Sequence, residues 1–466
     1  MKALLINPPT GLYVREDRCQ SAVGDFAVSV ARPPMDLMMM ATRLESEGIA
    51  CKIKDYPIEG GEWGMFKKDF SDFKPDLLVI SITTPTLKND IFACRYAKEI
   101  NPKVLTIAKG AHFLINDLET LEAFKDLDVV IRGENEQVIK EIAAAGDLSG
   151  ISGISYRDNG QAKRNKDRPL LENLDALPLP ARHLVRNELY TRPDTGDPMA
   201  VIETSRGCPA GCIFCLVGIV AGKKIRVRSP EKIIDEIKNC ITNYNIRNFH
   251  FKSDTFTWNK QWLLELCQEI VKQKLRIRWI CNSRVDTLDR DRITWMKKAG
   301  CWAVGLGVEH GNQEILDKIK KGVTLGDSKK AVALCREFGI KAYTYFIIGF
   351  PWDTEETIKD SIRFALALGG DFVDFFSPYP FPGTELERIA KEKHLFREAM
   401  AEHAYSRPVI DTLHISHEKV LQLRNSALRQ FYCRPTYIAR MLFTCSSPKV
   451  FLNYLYHGTK ILKTVF

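Results

Sequence analysis

Three cysteines stand on one short loop, Arg206-Gly207-Cys208-Pro209-Ala210-Gly211-Cys212-Ile213-Phe214-Cys215, in the spacing C-x3-C-x2-C. Thiolates are soft ligands, suited to iron–sulfur clusters or to zinc. A cubane 4Fe–4S cluster usually takes four cysteines, so three leave one iron without a protein ligand and open to a small molecule. A zinc site wants a fourth ligand close by, and no cysteine or histidine occurs between Val217 and Asn239. Three unshielded thiols on one loop would be an oxidation liability without a metal. The chain has thirteen cysteines, an odd number that argues against a disulfide framework. The other ten (Cys19, Cys51, Cys94, Cys240, Cys267, Cys281, Cys301, Cys335, Cys433, Cys445) have mostly apolar or helical surroundings and read as structural thiols.

The elements around that loop follow from apolar periodicity. Lys2 to Asn7, Cys51 to Asp55, Asp76 to Ile82, Lys103 to Ala108 and Asp128 to Arg132 read as buried strands, alternating with helical stretches such as Pro34 to Glu47 and Ile91 to Ile100. This predicts an α/β, Rossmann-like, doubly wound parallel sheet over residues 1–146, with ligand space over the carboxyl ends of its strands. Residues 147–198 are polar and proline-broken, a linker with room for one hairpin. A second alternation over 199–395 has strands at Met199 to Thr204, Arg247 to Lys252, Arg276 to Cys281, Trp302 to Val308, Lys341 to Ile347 and Asp371 to Phe376. Its helices start near Ser229, Asn259, Asp289, Asn312, Gly326 and Thr354. Six β-α units make a partial (β/α)6 barrel of the TIM type, with active residues at its strand ends, the cysteine loop following the first strand. Beyond about Glu385 only helical patterns remain, and 396–466 reads as a basic helical tail with Ser416 as a cap and Pro435 and Pro448 in first turns.

At 466 residues, with 45% hydrophobic and 27% charged, the chain can build several cores. Of the net charge of +9, eight positive charges fall between Lys419 and Phe466 (Lys419, Arg424, Arg429, Arg434, Arg440, Lys449, Lys460, Lys463), where no acidic residue occurs. The rest of the chain is near neutral. No run of about 18 apolar residues and no signal-peptide pattern is present, so the expectation is a cytoplasmic globular protein.

Beyond its cysteines the sequence resembles the radical SAM superfamily. Phe214 holds the aromatic position before the third cysteine, and Phe251-Lys252-Ser253-Asp254 resembles the aspartate-bearing segment after the second strand. Asn282-Ser283-Arg284 is similar to the polar triplet after the third strand, and Gly307-Val308-Glu309-His310-Gly311 to the G-x-E-S-G motif, with His310 in place of serine. Gly349-Phe350-Pro351-Trp352-Asp353-Thr354-Glu355 resembles the G-x-P-G-E-T loop, departing at Trp352 and Asp353. The resemblance implies a 4Fe–4S cluster on Cys208, Cys212 and Cys215, whose open iron chelates S-adenosylmethionine and cleaves it reductively to methionine and a 5′-deoxyadenosyl radical. A reductant such as flavodoxin or ferredoxin would supply the electron. Phe214, Asp254, Asn282, Arg284, Glu309, Gly349, Phe350 and Pro351 would hold the S-adenosylmethionine.

The order of domains resembles the subgroup with an amino-terminal cobalamin-binding domain, on Asn7-Pro8-Pro9, Lys109-Gly110-Ala111-His112 and Gly133-Glu134-Asn135-Glu136. The resemblance implies a corrinoid between the domains, against Pro8, Pro9, Thr10, Thr83, Thr84, Gly110, His112, Gly133 and Glu134. The D-x-H-x-x-G motif that supplies an axial histidine elsewhere is absent, and His112 is this domain's only histidine. The other reading is a degenerate domain that only shields the barrel.

Phe375-Phe376-Ser377-Pro378-Tyr379-Pro380-Phe381-Pro382-Gly383-Thr384 and Phe431-Tyr432-Cys433-Arg434-Pro435 resemble the branch of hopanoid-associated radical SAM proteins and the anaerobic magnesium-protoporphyrin monomethyl ester cyclase. That implies methyl transfer, or carbon–carbon bond formation by ring closure, at an unactivated carbon of a hydrophobic, lipid-like or tetrapyrrole-like substrate. The tail interleaves its charges with Phe431, Tyr437, Met441, Leu442, Phe443, Phe451, Tyr454, Leu455, Tyr456, Ile461, Leu462 and Phe466, a composition that suits the inner face of an anionic membrane, helices packed on the barrel, or RNA. The rivals are a methylthiotransferase-like enzyme that modifies tRNA, disfavoured because Cys19, Cys51 and Cys94 sit in a corrinoid-type domain and the tail is short, and a non-catalytic iron–sulfur electron carrier. Nucleic acid is not the expected partner. Tyr343, Tyr345, Tyr379 and His310 are polar groups able to face the cavity.

Overall fold

The first strand, Lys-Ala-Leu-Leu-Ile-Asn, is apolar on both faces and finds cover on both. In the computed structural model, which describes residues 1–17, 19–26, 30–397, 406–443 and 447–465, it is the second strand of a seven-stranded sheet. The strands are β1 (Lys2–Asn7), β2 (Ala50–Asp55), β3 (Leu77–Ser81), β4 (Leu105–Lys109), β5 (Val129–Ile131), β6 (Ile154–Asp158) and β7 (Gln161–Arg164), in the order β2-β1-β3-β4-β5-β6-β7. β1 to β5 are parallel. The hairpin expected within 147–198 is β6–β7; it joins this sheet antiparallel to β5 and carries the first domain past residue 146.

Helices cover both faces, as an all-parallel core demands. Met35–Glu45 and Val138–Ala144 pack with Leu5, Val79 and Ile131 on one side. Trp63–Phe73 and Phe92–Ile100 pack with Leu4, Ile6 and Ile80 on the other, so the sheet is doubly wound.

The second sheet comprises β8 (Met199–Glu203), β11 (Asn248–Lys252), β12 (Arg278–Arg284), β13 (Cys301–Glu309), β14 (Lys341–Ile347) and β15 (Phe372–Phe376), all parallel and in chain order. It is an open arc of six strands. Its helices begin at side-chain caps: Ser229, Asn259, Asp289, Asn312, Thr324 and Thr354 each accept a hydrogen bond from the backbone N–H three residues on. The helix expected at Gly326 starts one residue earlier because Thr324 and Asp327 form a capping box. A two-stranded ribbon, β9 (Ser205–Arg206) with β10 (Arg226–Val227), brackets the cysteine loop.

The carboxyl-terminal part is helical, as its pattern predicts, with helices at Glu385–Glu392, His417–Tyr432, Pro435–Phe443 and Pro448–Val465, plus a bridge between Phe396 and Ile410. Ser416 accepts from the Lys419 N–H. Phe431 and Tyr437, expected among the membrane-facing aromatics, are instead buried in the barrel's core. Phe443, Leu452, Leu455 and Tyr456 are exposed. The side chains of Leu442, Ile461 and Leu462, and all of Cys445 and Phe466, lie outside the described residues. No described helix is long and apolar enough to cross a membrane.

Candidate active site

The chain leaves β8 at Glu203, pairs β9 with β10, and then has no regular structure through the cysteines, so the loop must be pinned by individual bonds. The Gly207 N–H donates to Asp254 Oδ2 at 2.7 Å, and the Cys208 N–H to the Gly222 carbonyl at 3.1 Å. The Ile213 N–H reaches the Ile319 carbonyl at 3.2 Å, and the Ile213 carbonyl accepts from Leu386 at 3.0 Å. Four separate segments thus hold one loop. Cys208, Cys212 and Cys215 all line a cavity of about 580 Å3 at the carboxyl ends of the barrel strands.

Burial pushes the Cys215 thiol up to about 12 and also raises that of Cys212, against the pull of Lys321. Such thiols stay protonated until a metal displaces the protons. Among the described residues no three His, Cys, Asp or Glu side chains converge as ligands of a single ion. Three soft thiol donors on one loop are of the kind that hold an iron–sulfur cluster with one iron left open.

Phe214, Asp254, Asn282, Arg284 and Glu309 line the same cavity. Arg284 is buried, with its guanidinium fixed by Asp286 at 2.9 Å and by the Lys321 carbonyl at 2.9 Å. Glu309 closes β13 with φ of 66°, a left-handed conformation uncommon for a residue with a side chain. Its Oε1 lies 2.6 Å from Lys321 Nζ, and both side chains are buried. Gly307 makes room for that pair: a Cβ there would stand 2.5 Å from Glu309 Oε1 and 2.9 Å from Lys321 Nζ. The glycine and the acid of the G-x-E motif are thus one steric unit.

Gly349, Phe350 and Pro351 do not line the cavity. Phe350 is fully buried and meets the site through Phe214, with ring centroids 5.7 Å apart. The loop's shape comes from Asp353, which accepts from the N–H groups of Gly349 and Phe350 at 2.9 Å each. Asp353 also stands 3.1 Å from His310 Nε2, and neither side chain has any exposure. The departures at 310 and 353 therefore meet each other. His310 accepts from the Asn312 N–H through Nδ1 and takes no part in the cavity wall. Tyr345 and Tyr379 do line the cavity, whereas Tyr343 is turned to Asp374 at 2.5 Å.

Sequence reasoning missed Lys321, whose pattern is that of any lysine after a helix. It also missed the far wall, made of Cys19, Ser21, Phe26 and Arg32 from the segment that follows β1. Cys19, read as a structural thiol, faces this cavity with its Sγ 3.6 Å from Ser21 Oγ.

The residues expected to face a corrinoid gather at the strand ends of the first sheet, but each that bears a polar side chain is engaged with protein. Thr10 donates to Asp90, Thr83 forms a capping box with Thr86, and the Thr84 N–H donates to Gln20 at 2.7 Å. Both His112 nitrogens face hydroxyls, Thr84 at 3.4 Å and Thr120 at 3.3 Å, and burial lowers the imidazole to about 4, so it is neutral. Glu134 is bound by Arg206 at 3.0 Å and Arg226 at 2.9 Å. Pro8, Pro9, Gly110 and Gly133 shape the turns between them, and none of the nine residues lines the cluster cavity. Arg15 lies across the ends of β1 and β3, bonded to the Ser81 carbonyl at 2.7 Å and to Asp90 at 2.5 Å. The spaces left there measure about 20 and 50 Å3, and Ala111 and Leu114 pack directly on Leu216 and Val217 of the barrel.

Residues 202–365 match the model of the radical SAM superfamily. An uncharacterized methyltransferase of Pyrococcus horikoshii is 33% identical over 449 residues, covering 95% of each chain. The hopanoid C-3 methylase of Methylococcus capsulatus is 27% identical over 396 residues, 83% of this chain and 72% of that one. Among solved structures, the radical S-adenosylmethionine methyltransferase TsrM from Kitasatospora setae, with cobalamin and a [4Fe–4S] cluster bound, superposes with a TM-score of 0.71 at 17% identity, over 93% of this chain and 89% of that chain. With three thiols at the strand ends of a six-stranded barrel and a third of its residues shared from end to end with the Pyrococcus methyltransferase, this chain is an enzyme of the radical SAM superfamily.

Proposed function

We propose that this enzyme cleaves S-adenosylmethionine at a 4Fe–4S cluster held by Cys208, Cys212 and Cys215 and uses the product radical to alkylate or close a ring on an unactivated carbon of a hydrophobic substrate. The observation that carries the reading is the shared cavity: three thiols, the Glu309–Lys321 pair, Arg284, Asn282 and Asp254 all front one space of about 580 Å3. Cys208, Cys212 and Cys215 would hold the cluster, which would supply the electron for reductive cleavage of S-adenosylmethionine to methionine and a 5′-deoxyadenosyl radical.

The chain's own residues bind, orient and exclude water. Glu309 and Arg284 face each other's charge across Lys321 and suit the amino and carboxylate groups of a methionyl moiety. Phe214, backed by Phe350, offers a flat apolar face to a purine. Asp254 accepts from the loop's own Gly207 N–H, so its part is to set the loop as well as to meet a ribose. Tyr345, Tyr379 and Phe381 close the sides, which keeps a carbon radical from solvent hydrogen donors.

Methyl transfer is the outcome favoured by the methyltransferases among its relatives. A corrinoid would supply the methyl group, seated over the carboxyl ends of the first sheet, between the two domains. Anaerobic reconstitution tests both parts: iron, sulfide and cobalt per chain, with dithionite-driven 5′-deoxyadenosine formation, wild type against Cys212→Ala. About four iron atoms with cysteine-dependent cleavage supports the radical reading, and no cleavage refutes it. Near-stoichiometric cobalt supports methyl transfer; cleavage without cobalt favours ring closure or hydrogen abstraction. The electron donor would be a small acidic redox protein of the flavodoxin or ferredoxin kind.

A further inference from the structure

A second cavity of about 360 Å3 lies inside the same barrel, below the first. Its walls are β12 to β15, through Ile280, Trp302, Ala303, Tyr343 and Phe372, and its floor is the carboxyl-terminal helices, through Tyr437, Met441, Phe451 and Leu455. The volume falls within the roughly 300–1,000 Å3 typical of small-molecule sites. The walls are mostly aliphatic or aromatic; of the polar residues that line the space (Asp194, Asn282, His457 and Thr459 among them) Asp194 is held by Arg192 at 2.5 Å, and the Tyr343 hydroxyl is turned aside to Asp374 at 2.5 Å. A closed TIM barrel fills its interior with layers of branched side chains. Here Ala303 and Gly305 stand where bulk would be expected, and the interior stays open.

The two cavities meet. Asn282, Gly305 and Tyr345 line both, forming a neck between the cysteine loop above and the apolar space below. Gly305 keeps the neck clear: a Cβ would stand 2.4 Å from Asn282 Oδ1 and 2.8 Å from the Tyr345 ring, so those side chains would have to shift. On the outside of the floor, Ile438, Leu452, Leu455 and Tyr456 are exposed, on a segment that carries basic residues and no acidic one.

We propose, on the radical reading above, that the lower chamber holds the extended hydrocarbon chain of the substrate, entering through the carboxyl-terminal helices, with its reacting end at the neck. So largely apolar a lining offers a polar or charged group little, whereas a chain of methylene or isoprene units gains from most of the wall it touches. The chain belongs to a membrane lipid or to a free acyl or prenyl compound.

The test uses the full-length, cluster-loaded chain and cis-parinaric acid, a fluorescent 18-carbon fatty acid, as probe. Wild type is expected to bind it saturably at one per chain. Gly458→Trp fills the chamber from its floor, where a Cβ meets nothing within 4 Å, and is expected to weaken binding at least tenfold. Ala303→Phe, filling it from β13, gives an independent second loss. Absence of saturable binding, or equal affinity in wild type and Gly458→Trp, overturns the proposal. Delivering the probe from dilute solution and from phosphatidylglycerol vesicles separates the two sources, and uptake in either arm supports the chamber. Formation of 5′-deoxyadenosine is measured in parallel: binding without cleavage keeps the chamber and refutes the radical reading, while cleavage without binding does the reverse.

Discussion

Lys321 and Glu309 offer the sharpest quantitative test of the site. Their charged atoms are 2.6 Å apart, and their side chains are only 6% and 11% exposed, so neither ion has water to fall back on. Removing one partner of such a pair leaves a buried, uncompensated charge and costs about 3–5 kcal/mol, against about 0–1 kcal/mol for an exposed pair. The perturbations are Lys321→Met, Glu309→Gln and the double variant, read by urea unfolding of the cluster-free chain under reducing conditions. Tryptophan fluorescence reports on the barrel, because Trp279 is fully buried in it. Each single change is expected to destabilise the barrel transition by about 3–5 kcal/mol, and the double variant by about 2 kcal/mol less than the sum of the two, since it removes both charges together. Singles below about 1 kcal/mol, or an additive double, would show that the pair is solvated and refute the placement of Lys321 inside the wall.

Four further outcomes are expected. Cys212→Ala should abolish the cluster's visible absorbance and 5′-deoxyadenosine formation without unfolding the chain, as circular dichroism will show. Asp353→Ala strips two backbone donors and His310 of their partner and should cost about 2–4 kcal/mol, with the KM for S-adenosylmethionine rising more than kcat falls. Burial raises Asp55 to about 6, so the folded chain holds a proton that the unfolded chain, near 3.8, releases. Stability from that proton is complete below about pH 4 and lost as pH rises through 6, so Asp55→Asn should be more stable than wild type by about 3 kcal/mol at pH 7.5 and equal to it at pH 4 in thermal or urea unfolding. Arg15→Ala leaves the fully buried Asp90 without its cation and should destabilise the first domain by about 3–5 kcal/mol in urea unfolding.

Much of this was legible in the residues, for a stated reason in each case. The central strands, such as β1, β3 and β8, are buried on both faces, so each shows as a nearly unbroken apolar run that needs no partner to be seen. β12 runs three residues beyond the expected Cys281 because Asn282, Ser283 and Arg284 end the apolar signal while the backbone continues in the ladder. The cysteine loop was legible because metal ligation fixes spacing as well as residue type. Lys321 was not, because its burial is set by Glu309 twelve residues earlier across a turn. Cys19 was not, because a residue nearly two hundred positions before the loop reaches it only through the packing of one domain on the other. The tail was ambiguous for the same reason: its composition allows both a packed and an exposed face, and the fold assigns Phe431 to one and Phe443 to the other.

The wall built from Cys19, Ser21, Phe26 and Arg32 bears on how the molecule can be handled. Expression of residues 199–466 alone would yield a barrel whose thiols lie open along one flank, like a furnace without its door. Oxygen would reach the metal, and any radical formed would be quenched by buffer before it met a substrate. Such a fragment would also strip Glu236 of Arg182 and Arg206 of Glu134 and Glu136, pairs that are buried in the whole chain. Containment in this protein is a property of the whole chain.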